Sequence, residues 1–303
     1  MKKIFIFLIL IFSIYSEKSF EFIIDNDAFL SDRWYTNGLE FKLNEYFFYN
    51  QENTENTYIL GQKIYTPTTF YKDSKYIDEY DRPFAGLLYF GILKEKYKKN
   101  GKYRKSGWLL ETTGKASLSD TVQKTYHKIL SFRKPKGWDS QIENTYGIAY
   151  VREESPIYKS WNVNNNLDLN LRFINEIHMG NVILYDKIFG RVEFGNFNNF
   201  YKFTNKEKID TLWNMKEYYL FLQTGLMLRG YDSTLQGNIF NNKSKFTVDI
   251  YPVILESKVG FFMKWKEFSL EYDLTANSTE IKSMKFEEFW QIYHTLKFEF
   301  FKF

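Results

Sequence analysis

A transmembrane antiparallel β-barrel of about twelve strands, with a short helix in one external loop, is the fold this sequence predicts. Three observations carry that reading. The N-terminus has the pattern of an exported chain, apolar and charged residues alternate with period two along much of the length, and aromatic residues make up 20% of a chain whose mean hydropathy is −0.45.

The N-terminus comes first. Lys2 and Lys3 precede an unbroken apolar run from Ile4 to Phe12, after which Ser13, Ser16 and Ser19 appear. That is the basic, apolar, small-residue order of a secretory signal, and the run is too short to span a bilayer. Processing is expected between residues 16 and 19, leaving 17–303 as a single barrel domain. Loss of the two lysines lowers the net charge from +4 to +2, and with no basic face in any segment nucleic acid is not an expected partner. The chain has no cysteine, so disulfides, a lipidated N-terminal cysteine and a thiolate nucleophile are excluded. No later stretch reaches the ~18 apolar residues of a membrane helix.

Alternation supplies the strands. Leu39, Phe41 and Leu43 alternate with Glu40, Lys42 and Asn44; Leu167, Leu169, Leu171 and Phe173 with Asp168, Asn170 and Arg172; Phe268, Leu270, Tyr272 and Leu274 with Ser269, Glu271 and Asp273. Successive side chains of a strand point to opposite faces, so each run has one apolar and one charged face. Lipid outside and water inside accommodates both, and rings gathered in the outer girdles account for 31 Phe, 24 Tyr and 7 Trp. Such runs fall near 20–25, 36–47, 57–65, 84–98, 103–115, 142–153, 164–177, 182–196, 215–230, 245–257, 259–275 and 288–303, an even number as a single-chain barrel requires. Pro252, inside the tenth run, implies a bulge or an earlier strand end.

Strand parity locates the chemistry. If the first strand runs outward, the long connections 26–35, 66–83 and 116–141 are external; 197–214 is an unusually long internal one. The first, with Asp25 just before it, contains Asn26, Asp27 and Asp32, oxygen donors that suit a hard cation such as calcium and equally suit a polar turn held by Asx hydrogen bonds. The third has helical signals: Asp120 as N-cap, Gln123 and His127 four apart on one face, and Val122, Tyr126, Ile129 and Leu130 as an apolar face. His178 and His294 fall near strand ends and are expected at the membrane interface. The sequence has no G-x-S-x-G, no H-E-x-x-H and no phosphate loop. A hydrolytic site here would therefore use water activated by an imidazole, which can accept a proton near neutral pH, with a cation holding the oxyanion.

Three blocks then point to a family. Asp25-Asn26-Asp27 with Asp32-Arg33-Trp34-Tyr35-Thr36-Asn37-Gly38, next Asp81-Arg82-Pro83-Phe84-Ala85-Gly86, and last His127 with Pro135-Lys136-Gly137-Trp138-Asp139-Ser140-Gln141-Ile142-Glu143-Asn144 together resemble the outer-membrane lipid A 3′-O-deacylases. The resemblance covers about residues 20–150. It implies a twelve-stranded barrel in the bacterial outer membrane, a carboxylic ester hydrolase that removes the 3′-linked acyloxyacyl chain of lipid A with calcium as cofactor. It also implies lipid A or lipopolysaccharide as substrate, outer-membrane lipid as surroundings and a monomer. Carried across, the site residues are Asn26, Asp27 and Thr36, with His127 as general base, Gln123 and Lys72 as substrate contacts and Asp27 as a calcium ligand. Ala28 stands where some members have an acid, and the stretch between His127 and Trp138 departs from the family pattern. Two other readings remain at this point: a non-catalytic barrel serving as channel or structural protein, and a Ser-His phospholipase, for which no His-x-Ser pair exists.

Overall fold

The structure, a computed structural model, describes residues 17–27, 34–49, 52–98, 100–197, 216–282 and 290–301. The expected signal segment, Asp32 and most of the long internal connection lie outside the described residues.

The described residues form one closed antiparallel barrel of twelve strands: β1 (Glu17–Asn26), β2 (Trp34–Tyr49), β3 (Glu52–Thr66), β4 (Ala85–Tyr97), β5 (Tyr103–Thr113), β6 (Tyr146–Asn164), β7 (Leu167–Gly180), β8 (Ile183–Asn196), β9 (Glu217–Asp232), β10 (Val253–Trp265), β11 (Phe268–Ser278) and β12 (Trp290–Phe301). Each strand pairs with its sequence neighbours, and β1 closes on β12 with Ser19 opposite Phe301 and Asn26 opposite His294. Closure leaves no strand edge unpaired, the condition for a sheet to reside in hydrocarbon. Among the described residues no helix is long and apolar enough to cross a membrane.

The alternation predicts the faces correctly. Phe41, Leu171, Leu220 and Leu222 are exposed on the outer wall. Their neighbours point inward, where Lys42 lies 2.8 Å from both Glu21 and Glu40, Lys187 3.1 Å from Glu256, and Arg172 3.2 Å from Glu193. These pairs surround a cavity of about 650 Å³. A charge taken out of bulk water needs a partner, and the interior supplies one for each of these cations.

Three strand assignments are corrected. The run at 259–275 is divided by the turn at Lys266 and Glu267, so β10 continues to Trp265 and β11 begins at Phe268. The run at 245–257 is not a strand throughout, because β10 begins only at Val253. Pro252 cannot donate to a ladder; its carbonyl instead accepts from Arg229 N at 2.8 Å. The preceding residues belong to a loop, where Val248 N donates to the Leu235 carbonyl at 2.9 Å and Ile250 bridges to Ile281. Conversely, β6 extends to Asn164, because its pairing with β7 continues beyond a bulge near Ser155 as far as Leu167.

Two helices matter below. α1 (Ser119–Ile129) lies between β5 and β6, and the short α2 (Ser233–Gln236) follows β9. The latter turns over the barrel mouth and touches β4 on the far side. Leu235, with 1% of its surface exposed, packs there with Ile250 and Ile281. Arg229 braces the same region, 3.2 Å from Glu280 and 3.5 Å from Asp232. Burial disfavours the Glu280 carboxylate, but Arg229 and then Arg82 outweigh it and hold the group below its ordinary pKa.

Candidate active site

Gln123 and His127 lie on the outer wall of the barrel, where α1 packs over β3 and β4. On β3, Lys63 and Tyr65 line the interior, so Gln62, Ile64 and Thr66 point outward. On β4, Leu87 and Tyr89 point inward, which leaves Gly86, Leu88, Phe90 and Ile92 outward. The connections 67–84 and 114–145 fold down onto this patch of wall. Gln62 Nε2 donates to the Ser117 carbonyl at 2.6 Å. Ile64, Tyr80, Phe84 and Trp138 form a buried cluster with Phe70, Val122 and Phe246 against it. Full burial of each such side chain contributes about 1.5–3 kcal/mol, enough to fix the loops as a rigid sheath.

The sequence blocks now acquire physical reasons. Asp81 accepts from Trp34 Nε1 at 2.8 Å and from Thr68 N at 3.0 Å, tying the first two loops together. Phe84 has none of its surface exposed, and its ring lies 5.2 Å from that of Trp138. Gly86 gives α1 room, since a Cβ there would overlap the hydroxyls of Ser117 and Ser119. Gly137 does the same for the rings of Tyr80 and Phe84. Gly38 accommodates the Tyr35 hydroxyl, which donates to Asp25 Oδ2 at 2.7 Å.

At the end of β1, Asn26 Nδ2 donates to the Thr36 carbonyl at 2.8 Å, and Asn37 Nδ2 to the Asp25 carbonyl at 3.2 Å. The β2–β3 register slips between Tyr35 and Asn37, so Thr36 occupies a bulge. Its hydroxyl lies 2.7 Å from that of Thr66. Both bonds run between β1 and β2, and the turn that joins these strands lies outside the described residues. The Asp25 carboxylate faces the interior and is engaged by Tyr35. Asp27 is buried.

α1 departs from the expected arrangement in two ways. Its N-cap is Leu118 in the left-handed region (φ 60°), and Asp120 lies in the first turn, 3.5 Å from Lys124. The buried face consists of Ser119, Gln123 and His127, whereas Tyr126, Ile129 and Leu130 are exposed. His127 Nδ1 lies 2.5 Å from the Arg133 carbonyl. A carbonyl only accepts, so Nδ1 carries the proton and Nε2 keeps its lone pair. The imidazole stands edge-on to Phe70 and Phe132, with centroids 5.8 Å away in each case. Gln123 Oε1 accepts from Trp138 Nε1 at 2.7 Å. That bond orients the amide, and Nε2 is buried without a hydrogen-bond partner.

The contacts run from Asn26 through Thr36 to Thr66, and from Phe70, four residues on, to His127. Lys72 is not brought in: its ammonium pairs with Glu79, lies 5.8 Å from the Tyr76 ring, and is held more basic than usual by that hydrogen bond. His178 is not at the membrane interface; it faces the interior, with Nε2 3.1 Å from Glu111. His294 points outward on β12 opposite Asn26, its Nδ1 3.3 Å from the Tyr272 hydroxyl.

Sequence reasoning missed Thr66, Phe70 and Phe246, whose local sequence carries no signal. It also missed the brace from beyond β9, where Lys243 N donates to Glu143 and Ser244 Oγ accepts from Glu143 N at 3.2 Å.

A closed barrel with an apolar outer belt, charged interior and polar cluster on its outer wall defines an integral outer-membrane protein. The family model "Outer membrane protein LpxR" matches residues 4–298. The chain belongs to that family, and its location is the bacterial outer membrane. Among solved structures, LpxR from Salmonella typhimurium aligns at 19% identity with a TM-score of 0.76, covering 93% of this chain and 99% of that one. The β domain of the Bordetella autotransporter BrkA aligns at 9% identity with a TM-score of 0.47, covering 94% and 98%. Comparison with curated proteins returns no match.

Proposed function

We propose that this chain is a lipid A 3′-O-deacylase, a carboxylic ester hydrolase working at the outer face of the barrel wall. The observation that carries the reading is the polar row Ser119, Gln123 and His127, buried against an outward-facing patch of wall. A site meant for a solute would open into the interior.

His127 Nε2 removes a proton from water, and the resulting hydroxide oxygen bonds to the acyl carbonyl carbon. The tetrahedral intermediate collapses with cleavage of the bond to the sugar oxygen, and the imidazolium returns its proton to that leaving alkoxide. The products are a free acyloxyacyl acid and lipid A with a 3′-hydroxyl. Gln123 Nε2, aimed by Trp138, serves as a donor to the substrate. Asn26 holds the Thr36 bulge, and the Thr36 hydroxyl faces the ester. Lys72 contacts a lipid phosphate by exchanging it for Glu79.

The donor chemistry fits calcium. Asp27 offers a carboxylate, Thr36 and Thr66 offer hydroxyls, and all are oxygen, as a hard cation requires. Among the described residues no three histidine or acidic side chains gather. Asp27 would then be the charged ligand, and carbonyls, water and lipid oxygens would complete the six to eight. When bound, the ion supplies positive charge for the oxyanion.

The test is mass spectrometry of lipid A incubated with purified protein in detergent, with calcium, with chelator, and with His127→Ala. Loss of the 3′-linked chain only in the wild-type, calcium-replete sample is expected. Full turnover in chelator or by His127→Ala would overturn the mechanism.

A further inference from the structure

α1 is inside out for a helix in water. Its polar residues Ser119, Gln123 and His127 are 0%, 2% and 8% exposed, whereas Ile129 is 74% exposed and Leu118, Tyr126, Leu130 and Phe132 are between 44% and 58% exposed. A surface helix next to water places the apolar stripe against the protein and the polar stripe outside. The reversal requires two conditions here. The polar row has a purpose on the barrel side, and the medium on the other side is not water.

The position of the helix states which medium that is. Ser119 packs on Gly86, which begins the outward row of β4, and Phe90 and Ile92 follow on the same row at 46% and 51% exposed. The apolar flank of α1 therefore continues the belt that the barrel presents to lipid. A contiguous apolar surface of this kind marks an interaction site. Charge agrees: Lys124 and Lys128 are exposed on the opposite flank, and Arg133, Lys134 and Lys136 follow in the exposed stretch after the helix. Apolar residues on one side and cations on the other are the signature of a helix lying in the plane of an anionic membrane surface.

We propose that α1 and the turn after it, Leu118–Phe132, form an interfacial segment whose apolar flank is immersed among the acyl chains of the outer leaflet, with its cations at the headgroups. The occupant of this surface is the leaflet itself. Immersion sets the depth of the helix, and so of its buried row, at the boundary between headgroup and chain.

The absence of cysteine makes a direct test available. Single-cysteine variants Ile129→Cys, Lys128→Cys and Leu222→Cys carry a nitroxide in the full-length protein, reconstituted into phosphatidylcholine vesicles containing phosphatidylglycerol. Oxygen, which concentrates in the bilayer, and a water-soluble nickel chelate report immersion. Ile129 is expected to match the belt position Leu222, favouring oxygen over the chelate by several-fold, while Lys128 favours the chelate. Should Ile129→Cys not fold, Phe132→Cys replaces it. A label at 129 or 132 as open to the chelate as the label at 128 overturns the proposal, as does equal oxygen preference at all three. The measurement needs no turnover, so failure of the deacylase reading would leave it standing.

Discussion

Gly86→Ala adds one methyl group at the point where the loop sheath meets the wall. In a strand the exchange should be neutral or favourable by about 0.5–1 kcal/mol, because alanine loses less backbone entropy on folding. Here the new Cβ would overlap Ser117 Oγ and both Oγ and Cβ of Ser119, so one side must yield by more than about 1 Å to restore the 3.4 Å of ordinary contact. The wall yields little, since Gly86 pairs with Ile64 on β3 and the next residue, Leu87, pairs with Thr113 on β5. The first turn of α1 must lift instead, carrying Gln123 and His127 with it. Misplacing catalytic groups by about 1 Å costs on the order of 10²-fold in rate. The variant should therefore insert normally, shown by the heat-dependent mobility of a folded barrel on gels, and deacylate lipid A about a hundredfold more slowly by mass spectrometry. Wild-type turnover by a correctly folded Gly86→Ala protein would refute the claim that contact with the outer wall positions the site.

Other outcomes follow from named contacts. His127→Ala should lower turnover about 10²–10⁴-fold, whereas His294→Ala, which removes the histidine opposite Asn26, should remain within a few-fold of wild type in the same assay. Trp138→Phe keeps the ring but removes the donor to Gln123 Oε1, leaving a buried acceptor unpaired at a cost of about 1–3 kcal/mol; thermal unfolding in detergent should record the loss, and kcat should fall more than KM rises. Glu79→Gln releases Lys72, so KM for lipid A should fall, and the gain should vanish at high salt. Because the folded pKa of Glu280 is depressed, its contribution to closing the mouth is present above the ordinary carboxylate range and is lost only as pH falls through the folded value. Planar-bilayer recordings should then show no steady conductance at neutral pH, with any opening confined to strongly acidic solution, and steady conductance at neutral pH would restore the channel reading.

The barrel was legible because its signal is local. Alternation at 39–44, 167–173 and 268–274 requires only that neighbouring side chains point to opposite sides and that one side meets lipid. The family blocks were legible for a similar reason, since Gly38, Gly86 and Gly137 each mark a place where a side chain would collide. The side of the wall that carries the site was not legible. It depends on the bulge at Thr36, which changes parity at the end of β2, and on loops from 67–84, 114–145 and beyond β9 that meet only when the barrel closes. The polarity of α1 misled for the same reason: the sequence shows an apolar stripe, and only tertiary structure decides that most of it faces away from the protein core. Strand period is a property of neighbouring residues, whereas the direction of a helix face is a property of what surrounds the helix, and that surrounding is assembled from distant parts of the chain.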